Sequence, residues 1–173
     1  MREQLVEPFV EDGSAALRDG TVVRVRPIEP ADATRLVRFH EALSSDTVRL
    51  RFFAVHPYLT SSELERFTNV DHVDREALVA VLDDELIGVG RYERLATRTD
   101  AEVAFVVADN WQGLGVGPIL LGHLATRARA HDILRFEADT LVENKPMLTV
   151  FRRSGLVTSR ATSEGVVHVS MLL

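Results

Sequence analysis

The chain of 173 residues has no cysteine, one lysine (Lys145) and one tryptophan (Trp111). Without thiols there is no disulfide framework, no thiolate nucleophile and no Cys-ligated zinc or iron–sulfur cluster, so any covalent chemistry must use another group. Long hydrophobic runs are missing too. The longest, residues 77–82 and 103–108, hold six residues each, against the roughly 18–20 that a membrane-spanning helix needs. Positive charge is in the minority, with 20 Lys and Arg against 26 Asp and Glu for a net charge of −6. No basic run stands out, which argues against a nucleic-acid partner. Residues 1–20 carry Glu3, Glu7, Glu11 and Asp12 but no apolar signal core, so the expected address is cytoplasmic, with no membrane segment. What is there, 46% apolar and 27% charged residues, is the composition of an ordinary globular domain, and the length suits one.

The expected organisation is an N-terminal arm over residues 1–20, ending in the turn signal Arg18-Asp19-Gly20, and one domain over residues 21–173. Val22 to Val25 reads as a strand stopped at Pro27. Pro30 opens a helix that runs to Leu43, with Leu36, Phe39 and Leu43 at helical spacing. Ser44, Ser45 and Asp46 cap a short helix ending near Phe53, and Thr60, Ser61 and Ser62, with Glu63, start another ending near Phe67. Two β-prone runs, 77–82 and 86–92, flank Asp83-Asp84-Glu85 and predict an antiparallel hairpin. Gly88 and Gly90 weaken its second strand or admit a close neighbour. A further run, 101–108, leads into Gly113-Leu114-Gly115-Val116-Gly117 and a helix whose apolar face holds Val116, Leu120, Leu124 and Ala128. A strand over 135–141, a helix over 144–153 closed by Gly155, and two strands around Glu164-Gly165 complete a mixed α/β (α+β) pattern.

A strand, a glycine-rich turn and a helix N-terminus together form an anion site. The first amides of a helix lack intrahelical partners and stand at the positive end of its dipole. Gly113, Leu114, Gly115, Val116 and Gly117 therefore suit a phosphate or diphosphate. The dinucleotide fingerprint G-x-G-x-x-G fails because Pro118 occupies the third glycine's place, and a Walker A loop fails because no lysine closes it. Gln112-x-x-Gly115-x-Gly117, straight after Glu102-Val103-Ala104-Phe105-Val106-Val107, resembles the diphosphate loop of the GNAT superfamily of acyl-CoA-dependent N-acyltransferases. The element order from about Thr21 to Leu173 resembles that fold. The stretches 50–53 (Leu-Arg-Phe-Phe), 70–75, 101–109 and 143–148 are similar to the GNAT domain of bacterial protein lysine acetyltransferases. Some of these are fused to regulatory domains, and they acetylate the active-site lysine of AMP-forming acyl-CoA synthetases.

The resemblance implies a central, mostly antiparallel twisted sheet with helices on both faces, and acetyl-CoA as cosubstrate with no metal. It implies Glu102 as the general base for an amine whose free pKa is about 10.4. Val103, Ala104 and Phe105 are expected to desolvate this carboxylate and raise its pKa. The Val106 amide is implied as donor to the oxyanion, Phe105 and Val107 as partners of the pantetheine amides, and Asn144 as a contact near the pantetheine. Many members carry a tyrosine seven residues after this asparagine to protonate the departing thiolate. Phe151 stands there instead and is expected to pack on the cofactor arm, and a thiol of pKa about 8.5 leaves tolerably as thiolate. Arg152 and Arg153 are expected to add charge near the adenosine phosphates.

Asp71-His72-x-Asp74 lacks a complete metal ligand set. With Glu76, these acids read either as solvated loop charges or as a lip that attracts a cationic substrate. Asn144 reads equally well as a helix cap. The function expected is acetylation of a protein lysine, with an acyl-CoA synthetase as the protein partner. The alternatives are acetylation of a small amine and a non-catalytic acyl-CoA sensor.

Overall fold

The computed structural model describes residues 13–173, so residues 1–12 of the expected arm lie outside the described residues. In chain order the elements are β1 (Ser14–Ala16), β2 (Val22–Pro27), α1 (Ala33–Glu41), α2 (Ser45–Phe52), α3 (Ser61–Thr68), β3 (Arg75–Leu82), β4 (Glu85–Arg94), β5 (Asp100–Val107), α4 (Val116–Ala130), β6 (Arg135–Leu141), α5 (Lys145–Arg153), β7 (Val157–Ser163) and β8 (Val166–Leu172). Local chemistry sets most helix starts. The Ser44 hydroxyl accepts from the Thr47 amide at 3.2 Å and begins α2. Thr60 and Glu63 close a reciprocal capping box on α3, and Asn144 Oδ1 accepts from the Met147 amide at 3.2 Å to begin α5. The helix expected from Pro30 to Leu43 is shorter. Pro30–Asp32 forms a 3-10 turn, and α1 proper runs Ala33–Glu41.

The strands form one sheet of order β1-β2-β3-β4-β5-β6-β8-β7. Every neighbouring pair is antiparallel except β5–β6. Ser14–Ala16 forms the edge strand on one side; three residues are too few to show a hydrophobic alternation in the sequence. In the β3–β4 hairpin Asp83 and Asp84 both take positive φ, 48° and 66°, the two left-handed residues of a turn that matches the strand twist. One face of the sheet packs Tyr92, Val103, Phe105 and Phe136 against Leu120 and Leu124 of α4 and Phe151 of α5. The other packs Ile28, Val79 and Val89 against Leu36 and Phe39 of α1. Glycine in β4 permits the first arrangement. A Cβ at Gly88 would stand 2.6 Å from Val116 Cγ1, and one at Gly90 would stand 2.8 Å from Phe105 Cδ1. This is the expected mixed α/β sheet with helices on both faces. Among the described residues no helix is long and apolar enough to cross a membrane.

Candidate active site at the fork between β5 and β6

On one side β5 pairs with β4 from Ala101↔Arg94 to Val107↔Gly88. On the other it pairs in parallel with β6 only at Asp100↔Arg135, Ala101↔Phe136 and Glu102↔Glu137. Beyond Glu102 the strands part, and among the described residues no strand lies beside the outer backbone edge of residues 103–107. A cleft of about 690 Å³ opens in this fork, a volume usual for small-molecule sites. It is lined by Phe105, Val106 and Val107 of β5, by residues 112–117, by Thr47, Leu50 and Arg51 of α2, and by Asn144 at the start of α5. The fold thus brings the sequence-predicted cofactor residues together, apart from Phe151. That ring is buried behind the cleft wall, its centroid 6.3 Å from that of Phe105.

The glycine loop is held from both sides. Gly113 and Gly115 adopt φ of 78° and 104°, conformations that favour glycine. Gly115 is the residue before α4 and offers no side chain to cap it, which leaves the first amides of α4 for a ligand. Arg18, just past β1, donates its amide to the Leu114 carbonyl at 2.9 Å and its guanidinium to the Gly113 carbonyl at 3.0 Å. The Gln112 side chain points inward, donating to the Val107 carbonyl and to Thr47 Oγ1, both at 3.1 Å. Asp109, in a 3-10 turn over Asp109–Trp111, accepts from the Ser44 amide (2.9 Å), the Ser44 hydroxyl (2.6 Å) and the Thr47 hydroxyl (2.8 Å). Burial pulls the Asp109 carboxyl upward, but the Ser44 and Thr47 donors outweigh it and hold the group below its ordinary range. One polar network therefore ties α2 to the loop.

Glu102 sits at the base of the fork and does not itself line the cleft. It stands directly opposite Glu93 on β4 and Glu137 on β6. Three carboxylates thus form a row on the sheet face that carries α1, and like charges so placed repel. Arg66 meets Glu93 at 2.7 Å, and Ser170 Oγ and His168 Nε2 meet Glu137 at 2.8 and 2.9 Å. Hydrogen bonding to Asp139, ahead of the opposing effect of burial, raises the His168 pKa. Glu102 is exposed and has no hydrogen-bond or ion-pair partner among the described residues; its electrostatic neighbour is Arg51. Val103 and Phe105 face the α4 side of the sheet, so the desolvation expected from them does not reach this carboxylate. The reason is the two-residue period of a strand.

The acidic lip considered around residue 71 does not form. Asp71 Oδ1 accepts from the amides of Val73, Asp74 and Arg75 at 2.9, 2.9 and 2.8 Å, and Asp74 pairs with Arg94 at 2.6 Å. Glu76 is fully buried between His72 Nδ1 at 2.8 Å and Arg127 Nη1 at 3.0 Å. These acids are committed to turn geometry and core ion pairs. Among the described residues no His/Cys/Asp/Glu group is arranged to hold a metal ion.

Among the described residues, the ionisable side chains lining the cleft are Arg18, Arg51, Lys145 and Arg153, all cationic. A chain of net charge −6 thus presents locally positive walls, suited to a polyanion. Arg153 lines the cleft as the sequence suggests; Arg152 does not. Arg18, Thr47 and Arg51 had no role in the sequence reading. Arg51 lay in a stretch noted for its resemblance, but its partner Glu102 is far along the chain.

The acetyltransferase (GNAT) family model matches residues 36–156. Acetyltransferase Pat of Mycolicibacterium smegmatis is 32% identical over 162 residues, covering 91% of this chain and 48% of that protein. The chain therefore spans about half the length of that relative. An acetyltransferase of Pseudomonas aeruginosa is 28% identical over 159 residues, 88% of this chain and 86% of its own length. Among solved structures, the GNAT domain of S. lividans PAT superposes with a TM-score of 0.88 at 40% identity, over 95% of this chain and 99% of that one.

Proposed function

The chain belongs to the GNAT family of acetyltransferases, and from that premise we propose that it moves the acetyl group of acetyl-CoA onto the side-chain amine of a protein lysine, with Glu102 as general base. The observation that carries this reading is the free edge of β5 beyond Glu102, opening directly beside the uncapped start of α4. An extended pantetheine arm has amides that complete such an edge as an added strand does. The diphosphate takes the amides of residues 113–117, with Arg18 and Arg153 lining the same cleft. The Val106 amide, expected as the oxyanion donor, is turned toward β4 opposite Val89 by the register that pairs the Ala108 amide with the Ile87 carbonyl; the Phe105 and Val107 amides face the open edge, where a thioester oxygen can be received.

The acceptor enters as a cation, since a lysine amine of pKa about 10.4 is mostly protonated at neutral pH. The row Glu93–Glu102–Glu137 draws such a cation, and Glu102 alone of the three lacks a bonded partner that would occupy it. Phe105 stands three steps along the strand from Glu102, about 10 Å, so the proton travels through water. Similarity to Pat acetyltransferases supports a protein acceptor, and we take an AMP-forming acyl-CoA synthetase as the partner to test first.

Incubation with labelled acetyl-CoA and either a synthetase or a panel of small amines separates the substrate classes, and label appearing only on small amines would overturn the protein assignment. Glu102→Gln is expected to lower kcat by about 10²–10⁴-fold with acetyl-CoA affinity unchanged. Wild-type rates across a pH series in that variant would remove Glu102 from the mechanism.

A further inference from the structure

The cationic side chains around the cleft do not share one task. Arg18 holds the glycine loop at one end, where Gln112 also anchors to Val107. Arg51 belongs to the other end, because its electrostatic partner is Glu102, at the base of the fork. It borders the cleft and also a small pocket under α1 and α3, so it forms the partition between them. Its guanidinium lies over the Phe52 ring, 4.9 Å from the centroid. Among the described residues it makes no hydrogen bond and no ion pair at contact distance. Behind it, in the same small pocket, Arg91 stacks over Phe67 at 4.3 Å, also without a bonded carboxylate. Burial lowers the pKa of both, Glu102 opposing this for Arg51. For Arg91, Arg51, Arg75 and Arg66 push the same way, down to about 9, which leaves it still cationic at neutral pH. Two half-buried cations side by side create a demand for negative charge that Glu102 and Glu93 meet only from a distance, with no carboxylate bonded to either guanidinium among the described residues.

Acyl transfer supplies that charge at this end of the cleft. As the amine nitrogen bonds to the acyl carbon, the C–S bond breaks with its electron pair going to sulfur, and the proton of the amine goes to Glu102 or water. We propose that Arg51 is a catalytic residue that takes up the negative charge on the coenzyme sulfur as this bond breaks. The proposal rests on the reading of the cleft as the acyl-CoA site. It also explains how the leaving group departs from a cleft whose lining, among the described residues, contains no acid.

The test needs no acceptor. A cation beside sulfur favours thiolate over thiol, so coenzyme A, unlike its analogue lacking sulfur, should bind more tightly as pH rises from the bound thiol's pKa to that of the free coenzyme thiol. The groups facing Arg51 are Glu102 from β5, Arg91 from β4 and His40 from α1, with Glu137 and His168 on the same sheet face. Their own titration acts on both ligands, and the affinity ratio of the two removes it. By calorimetry, the coenzyme A to desulfo-coenzyme A affinity ratio should rise between pH 6 and pH 10, approaching about tenfold for a one-unit shift. In Arg51→Gln it should stay within about twofold, and Arg51→Lys should restore part of the rise. A wild-type ratio flat with pH, or an equal rise in Arg51→Gln, overturns the proposal. Binding of neither ligand to the wild-type protein overturns the cleft reading itself, a different result from a flat ratio.

Discussion

Asp32 sits at the turn into α1 with a side chain only 1% exposed. Such a carboxylate must be fully bonded to survive burial. Arg26 gives it two bonds of 2.7 Å, and the Glu29 amide gives a third at 2.9 Å. The Arg26 hydrogen bonds, working against burial, hold its pKa below the ordinary 3.8. A carboxyl lowered by folding contributes stability that is complete above its unfolded pKa and is lost as pH falls through its folded one. Asp32→Ala is therefore expected to cost about 3 kcal/mol in urea unfolding at pH 5–8, and the gap to wild type should narrow only below about pH 3.8. A gap that narrows near pH 6 would assign the effect to another group. At Glu102, by contrast, no bonded partner among the described residues commits the charge to the fold, which in the proposed reaction leaves it to the acceptor amine.

At the scale of elements, α2 is the piece that joins the Arg51 end of the cleft to the glycine loop. Its first turn, through Ser44 and Thr47, is bonded to Asp109 and Gln112, and its last turn carries Arg51. Asp109→Ala leaves two hydroxyls and an amide without their acceptor, a cost of about 1–3 kcal/mol for a part-buried site. Because the loop and α2 share this network, acetyl-CoA affinity should fall several-fold, measured by calorimetry. Loss of thermal stability with unchanged affinity would show the network to be structural only. The helix starts in this region were legible because each is a short-range bargain between one side chain and amides two or three residues on: Ser44, Thr60 and Asn144 all cap as their types predict. The Asp109 contacts, across more than sixty residues, leave no local pattern. The 3-10 turn at Asp109–Trp111, whose start has no side-chain cap, leaves no local pattern either.

For the whole molecule, long-range placement decides what the sequence could not. The glycine spacing marked the turn into α4, and the element order disclosed the mixed sheet. The row of three carboxylates arises from strand register alone, and register is a property of paired strands. The acids near residue 71 looked available in sequence and are spent internally once Arg94 and Arg127 arrive from distant elements. Arg18, 95 residues from Gly113, links the β1 end of the sheet to the glycine loop. Arg18→Ala should weaken acetyl-CoA binding about tenfold, since hydrogen bonds from a charged group contribute about 1.5–3 kcal/mol. Arg152→Ala, outside the cleft lining, serves as the control, and equal losses in both would point to net charge instead. The fork has a mechanical side as well. Strands β1 to β5 make one panel and β6, β8 and β7 another, stitched by three residue pairs. A ligand laid along the open part of that seam welds the two panels, so occupancy of the cleft stiffens strands that never touch the nucleotide.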